Sequence, residues 1–165
     1  MTALQDAIRR AEANAPFLRG LIRREPELIE TMSTEGYDAA VAQSFARLDP
    51  ERAAPSVREA RGGIALTVAL ADLAGAWPLE KVTQTLTDFA DKALQFALEA
   101  AFAERDERPR GMTALALGKM GSHELNYSSD IDLIFLHDEA LIPHRASEEP
   151  TEAATRIARR VSSLV

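Results

Sequence analysis

Gly118-Lys119-Met120-Gly121-Ser122-His123-Glu124-Leu125-Asn126-Tyr127-Ser128-Ser129-Asp130-Ile131-Asp132-Leu133-Ile134-Phe135 is the stretch that decides how this chain is read. A Gly-Ser pair precedes two aspartates spaced i, i+2, and the aspartates lie in an apolar run. Successive side chains of a strand point to opposite faces, so Asp130 and Asp132 share one face and Ile131 and Leu133 the other. At about 3.3 Å per residue the two carboxylates stand about 7 Å apart along the strand. Like charges this close cost stability unless a cation neutralises them. The pair therefore points to a divalent-metal site that handles phosphates.

The periodicity around this stretch supports two strands. Thr113 to Leu117 alternates small and large apolar residues without a helical cap and reads as a buried strand. Gly118 to Ser129 reads as a loop with one helical turn at His123–Asn126. Ile131 to Leu136 is β-branched and aromatic and reads as a second strand. Pro143 breaks the chain, and a final helix is expected over 148–164. Its acidic residues Glu148, Glu149 and Glu152 come first and Arg156, Arg159 and Arg160 later, an order that complements the helix dipole.

Upstream the chain reads as helical. Good helix formers fill residues 3–14. Pro16 and Pro26 fit the first turns of helices over 16–24 and 26–34. Gly36 precedes a helix over 37–48, with Val41, Phe45 and Leu48 at helical spacing. Asp49-Pro50 and Pro55 mark a connection. A longer helix is expected over 56–75, with Ser56 as its N-cap. Gly62-Gly63 falls in its middle, as a kink or a close helix contact. The longest helix, over 78–105, carries an apolar stripe from Leu79 to Ala100, in which Phe89 and Phe96 read as core. The division expected is a helical region over 1–108 and a strand-bearing region over 109–165.

Composition narrows the function. The chain has 165 residues, enough for a real core, and a net charge of −7 from 19 basic and 26 acidic residues. An acidic balance argues against a general nucleic-acid binder, which needs a basic face, but not against one nucleotide held at a metal. No cysteine is present, which excludes disulfides, a thiolate nucleophile and zinc–cysteine sites. No apolar run approaches the length of a membrane span and no signal pattern opens the chain, so a cytoplasmic location is expected. His123, His137 and His144 lack metal-ligand spacing and read as surface residues. Arg58 and Arg61 read as a solvated helix face.

Strand, Gly-Ser loop and Asp-x-Asp on the next strand follow the order used by the nucleotidyltransferase fold of the DNA polymerase β type. In that arrangement Gly121 lets backbone approach a phosphate, and Ser122 offers a hydroxyl and an N–H. Asp130 and Asp132 hold Mg²⁺ for in-line displacement. Lys119 neutralises phosphate charge, and Ser129 is counted with the phosphate-binding set. Glu124 and Asn126 cap the turn or orient the aspartates. The loop lacks the Gly-Lys-Ser/Thr ending of a Walker loop. The fold class expected is α+β, a helical N-terminal part packed on the start of a nucleotidyltransferase mixed sheet.

The whole stretch from Gly118 to Phe135 closely resembles the signature of the bifunctional glutamine synthetase adenylyltransferase and adenylyl-removing family. Ala15 to Leu28 resembles that family's N-terminal opening. Val57–Arg61, Ile64–Leu66 and Ala71–Gly75 resemble its helix before the catalytic strand. The form Glu-Leu-Asn-x-x-Ser-Asp-Ile-Asp is similar to the half that removes AMP. The resemblance implies phosphorolysis: phosphate attacks the AMP on a glutamine synthetase tyrosine and gives ADP. The other half of such enzymes adds AMP from ATP, and PII signal protein is the implied controller. Ser122 stands where the family often has a second glycine, and Gly62-Gly63 where it is often basic. The family's third carboxylate, within Asp-x-Arg-Leu-Arg-Pro, has no counterpart, since Asp138 and Glu139 follow the second strand too directly. The chain therefore reads as an N-terminal piece, expected to bind metal and nucleotide weakly and to be inactive alone. Two other readings compete: a docking module that keeps the fold without catalysis, and another nucleotidyltransferase, such as a PII uridylyltransferase or an antibiotic-modifying enzyme.

Overall fold

A computed structural model describes residues 1–165. Four short helices come first: α1 (Ala3–Asn14), α2 (Pro16–Arg24), α3 (Pro26–Thr34) and α4 (Tyr37–Phe45). Their starts follow from local chemistry. Thr2 and Gln5 form a reciprocal capping box on α1, and proline sits at the first position of α2 and α3. Helix α4 stops at Phe45, three residues short of the expected end at 48, and Pro50–Arg52 makes one 3₁₀ turn.

Two long helices form the frame: α5 (Ala53–Leu73) and α6 (Leu79–Ala103). Helix α5 begins before Ser56, so Ser56 is not its cap. The buried Ser56 hydroxyl instead bonds the carbonyls of Ala53 and Asp49, which secures the turn into the helix. The glycine pair produces a close contact within a continuous helix. A Cβ at Gly63 would stand 2.4 Å from Ser44 Oγ, and one at Gly62 3.3 Å from the Leu21 side chain. Beside it, Arg47 of the α4–α5 connection bonds both oxygens of the largely buried Glu25 at 2.9 and 2.6 Å. Gly63→Ala gains about 1 kcal/mol of helix propensity but drives a methyl against a buried, hydrogen-bonded serine, which costs about 1–3 kcal/mol. A net loss of about 1 kcal/mol is expected in urea denaturation, and relief by Ser44→Gly identifies the clash as the cause.

After α6 come strand β1 (Met112–Ala116), a helical turn α7 (Gly118–Gly121), strand β2 (Leu133–His137) and α8 (Pro150–Leu164). The strands pair antiparallel, with Met112 opposite His137 and Ala116 opposite Leu133. The class is α+β; the sheet has two antiparallel strands where the sequence points to the start of a mixed sheet. The helical turn lies at Gly118–Gly121 and not at His123–Asn126, because His123 takes φ +60°, which ends a right-handed helix. Helix α8 opens on a Glu149–Glu152 capping box. Its last turn carries no basic residue, so the expected dipole pairing is replaced by side-chain pairs: Arg156 bonds Glu148 and Arg160 bonds Glu104.

Three apolar clusters join. Ala7, Leu21, Leu28 and Met32 pack on Leu66 and Leu70 of α5. Val57, Ile64 and Val68 of α5 meet Val82, Phe89 and Phe96 of α6. The opposite side of α6, with Ala90, Leu94, Ala97 and Phe102, meets Ile157 and Val161 of α8 and the inner sheet face. Each fully buried Leu or Ile contributes about 1.5–3 kcal/mol. No helix is long and apolar enough to cross a membrane.

Candidate functional site

The sheet sorts its side chains as the alternation requires. Ile131, Leu133 and Phe135 turn inward and pack on the core with Met112, Ala114 and Ala116. Asp130 and Asp132 fall on the exposed side, with Leu115, Leu117, Ile134 and Leu136. Both aspartates precede the strand proper, which starts at Leu133 and not at Ile131. Asp132 is still held in extended register, because its carbonyl accepts the Leu117 N–H at 2.9 Å. Its carboxylate lies over the turn: Asp132 Oδ2 would be 3.4 Å from a Cβ on Gly118.

The Gly-Ser loop is fixed from several sides. Gly121 packs so tightly on β1 that a Cβ would stand 2.5 Å from the Ala116 carbonyl oxygen. Close packing of the turn on the strand thus demands this glycine, whatever approaches from outside. Met120 is buried beneath, and Lys119 and Ser122 are exposed. The Ser122 hydroxyl lies 3.4 Å from the Lys119 carbonyl and 3.3 Å from Glu124 Oε2. Asn126 Oδ1 accepts from the Ser128 N–H and the Ser129 hydroxyl, while the Asn126 N–H donates to Ser129 Oγ. Asn126 therefore shapes the turn before Asp130, and Ser129 is its partner there.

Two long-range bonds tie this loop to the helices. The Tyr127 hydroxyl donates to Asp72 Oδ2 of α5 at 3.0 Å. The Leu125 N–H donates to the Thr87 hydroxyl of α6 at 3.4 Å, and that hydroxyl donates in turn to the Thr83 carbonyl. Sequence reasoning missed this pairing. Asp72 and Tyr127 each lie in a quoted stretch, but nothing in their 55-residue separation links them.

Burial, then the hydrogen bond to the Asp72 carboxylate and its charge, push the Tyr127 hydroxyl above its ordinary value. Burial does the same for Tyr37. The fold favours the protonated phenols, so their contribution to stability is present below the ordinary tyrosine value and is lost as pH rises through the raised ones. Phenolate absorbance in the native protein should lag that of the unfolded chain above about pH 10, with a falling melting temperature. Tyr127→Phe should lessen that fall; an unchanged pH dependence would remove Tyr127 as its source.

Neither aspartate has a salt-bridge partner among the chain's ion pairs. No group of three or more acidic or histidine side chains converges into a metal cage. The donor set nevertheless fits Mg²⁺: hard carboxylate oxygens, exposed and uncommitted. Mg²⁺ is commonly held by one or two carboxylates, with waters and substrate phosphates completing its octahedron. His137 and His144 are engaged elsewhere. His137 Nε2 lies 3.4 Å from Thr151 Oγ1, and His144 Nδ1 lies 3.0 Å from the Ile142 carbonyl. Arg61 is exposed, as expected of a solvated helix face, at the edge of a cleft that Asp130 also lines.

The helical frame presents a Gly-Ser turn and an Asp-x-Asp pair at the mouth of a strand. A family model described as glutamate-ammonia ligase adenylyltransferase matches residues 5–165. The chain is 32% identical to a bifunctional glutamine synthetase adenylyltransferase/adenylyl-removing enzyme of Rhodopseudomonas palustris (strain BisB5), over 96% of this chain and 18% of that relative. It is 36% identical to the protein of that name from Bradyrhizobium sp. (strain BTAi1), over 93% and 16%. It is 39% identical to the one from Xanthobacter autotrophicus (strain Py2), over 78% and 15%. The chain belongs to the glutamate-ammonia ligase adenylyltransferase family, and it spans less than a fifth of the length of these curated relatives.

Proposed function

We propose that this chain carries the adenylyl-removing site of a glutamine synthetase-modifying enzyme of the cytoplasm. The observation that carries the reading is the pair of exposed, unpartnered aspartates, placed on one face beside the Gly118–Ser122 turn. Asp130 and Asp132 are the metal-holding and catalytic carboxylates. Ser122 and the turn's N–H groups take phosphate oxygens, with Lys119 neutralising charge and Ser129 holding the turn. Bound Mg²⁺ would supply charge neutralisation at the transferring phosphoryl group. In the reaction, an oxygen of inorganic phosphate attacks the AMP phosphorus on the modified tyrosine. The P–O bond to tyrosine breaks, ADP leaves, and the tyrosine oxygen takes up a proton. The protein's own share is positioning and electrostatics. ATP belongs to the opposite, AMP-adding reaction, and PII signal protein to the control of which of the two reactions runs.

The test is ADP formation from adenylylated glutamine synthetase with phosphate and Mg²⁺. The chain is compared with a version extended past residue 165 to the length of the relatives. ADP from the longer version supports the reading. Binding of glutamine synthetase without ADP formation would transfer the chain to the docking class. Activity on PII in place of glutamine synthetase would make it a different nucleotidyltransferase.

A further inference from the structure

Asp130 and Asp132 are secured in different ways. Asp132 shares the register of the sheet, because its carbonyl accepts the Leu117 N–H. Asp130 makes no hydrogen bond of its own, by main chain or side chain. Between the buried Leu125 and the core-packed Ile131 no side chain of the loop is buried. Asn126, Tyr127, Ser128 and Asp130 are exposed and Ser129 is half-buried, so packing does little to place this segment. The bonds of Asn126 with Ser128 and Ser129 shape the turn, but they run within it and do not fix it to the rest of the fold. Only the Tyr127 hydroxyl reaches another element from residues 126–130. It lies 3.0 Å from Asp72 Oδ2 and 3.5 Å from the Val68 carbonyl, both on α5.

Asp72 stands in the last turn of α5, where the negative end of the helix dipole disfavours a carboxylate. No cation compensates it: Asp72 enters none of the chain's salt bridges, and its side chain bonds Tyr127 alone. What the position supplies is a charged acceptor, which makes a stronger and more directional bond to a hydroxyl than a neutral one. We propose that the Tyr127–Asp72 bond is the positioning contact of the metal pair: it ties the turn before Asp130 to α5 and so sets the spacing of Asp130 and Asp132. This rests on the metal site proposed above and adds what holds it. Tyr127 is a positioning residue, acting through the turn. A ligand on an untethered segment loses freedom when a cation captures it, and a tether made in advance removes that cost. Mg²⁺ is sensitive to such placement, because it demands near-ideal octahedral geometry.

The experiment titrates this chain with Mg²⁺ alone and follows the amide resonances of Asp130 and Asp132 by NMR, with melting temperatures measured alongside. Tyr127→Phe keeps the ring and every charge, so it alters the metal site only through the lost bond. It should weaken Mg²⁺ about tenfold, the low end of what losing a ligand's supporting contact costs. Asp72→Ala should weaken it as much, and the double variant no more than either alone. Asp72→Asn, whose amide oxygen still accepts the hydroxyl proton, should recover most of the loss. A contact that only stabilises the fold would lower the melting temperature and leave Mg²⁺ affinity within about twofold. That result overturns the proposal and leaves the proposed reaction standing. Losses that multiply in the double variant overturn it too, because the two residues then act separately. No shift at Asp130 or Asp132 with tens of millimolar Mg²⁺ in the unsubstituted chain overturns both the proposal and the metal site. The expected Mg²⁺ losses, in an extended chain that forms no ADP, keep the tether and remove the reaction.

Discussion

Asp132→Asn should lower ADP formation from adenylylated glutamine synthetase at least about a hundredfold in the extended chain, the scale on which a single electrostatic contact to a transition state acts. The carboxylate is exposed, unpaired and poised over the Gly118 turn. An amide keeps its shape but removes the charge that a hard cation requires. Asp130→Asn should fall to a similar degree, because in the proposed reading the two carboxylates hold one metal. Neither change should unfold the chain. Exposed residues without partners usually alter stability by no more than about 0.5 kcal/mol, and removing one of two neighbouring like charges relieves repulsion. Rates fall while melting temperatures hold. Retention of activity within threefold in either variant would exclude the metal pair, and a collapse of the melting temperature would assign the aspartates a structural role.

Gly121→Ala should have the largest effect on stability, about 2–3 kcal/mol. Its new methyl would meet the Ala116 carbonyl oxygen at 2.5 Å and the carbonyl carbon at 3.2 Å. Both are backbone atoms of β1, opposite Leu133 in the ladder, so neither can swing aside as a side chain could. The turn must lift instead, taking the buried Met120 out of the core and displacing Ser122. The gain of about 1 kcal/mol in helix propensity does not offset this. Urea denaturation measures the loss, and an unchanged midpoint would mean that Gly121 tolerates a side chain and is required only by a ligand. The Gly63 substitution is milder because its obstacle is a serine side chain.

The sequence was most legible where the chemistry is local. Pro16, Pro26 and Gly36 mark the ends of α1 to α4, and those helices lie where punctuation places them, apart from the last turn of α4. That the two aspartates share a face was legible for the same reason, since extended-chain alternation alone requires it; that this face is the exposed one came from the structure. Errors arose where a side chain had a nonlocal or competing use. Ser56 resembles a cap, but its hydroxyl serves carbonyls of the preceding turn. The start of β2 depends on where a partner strand stops, which no residue of β2 encodes. The Tyr127–Asp72 bond arises from how α5 packs, so it was visible only in three dimensions.

Helix α6 has a further consequence. Val82, Phe89 and Phe96 belong to the cluster shared with α5, while Ala90, Leu94 and Ala97 belong to the one shared with α8 and the sheet. Neither half can come apart without stripping one side of the same 25-residue rod. The helical part and the strand-bearing part should therefore lose structure together, in a single all-or-none transition with coincident calorimetric and spectroscopic midpoints. A cut near residue 108 would leave two pieces that each expose an apolar surface, and a disturbance at the loop would register in the amides of the N-terminal helices.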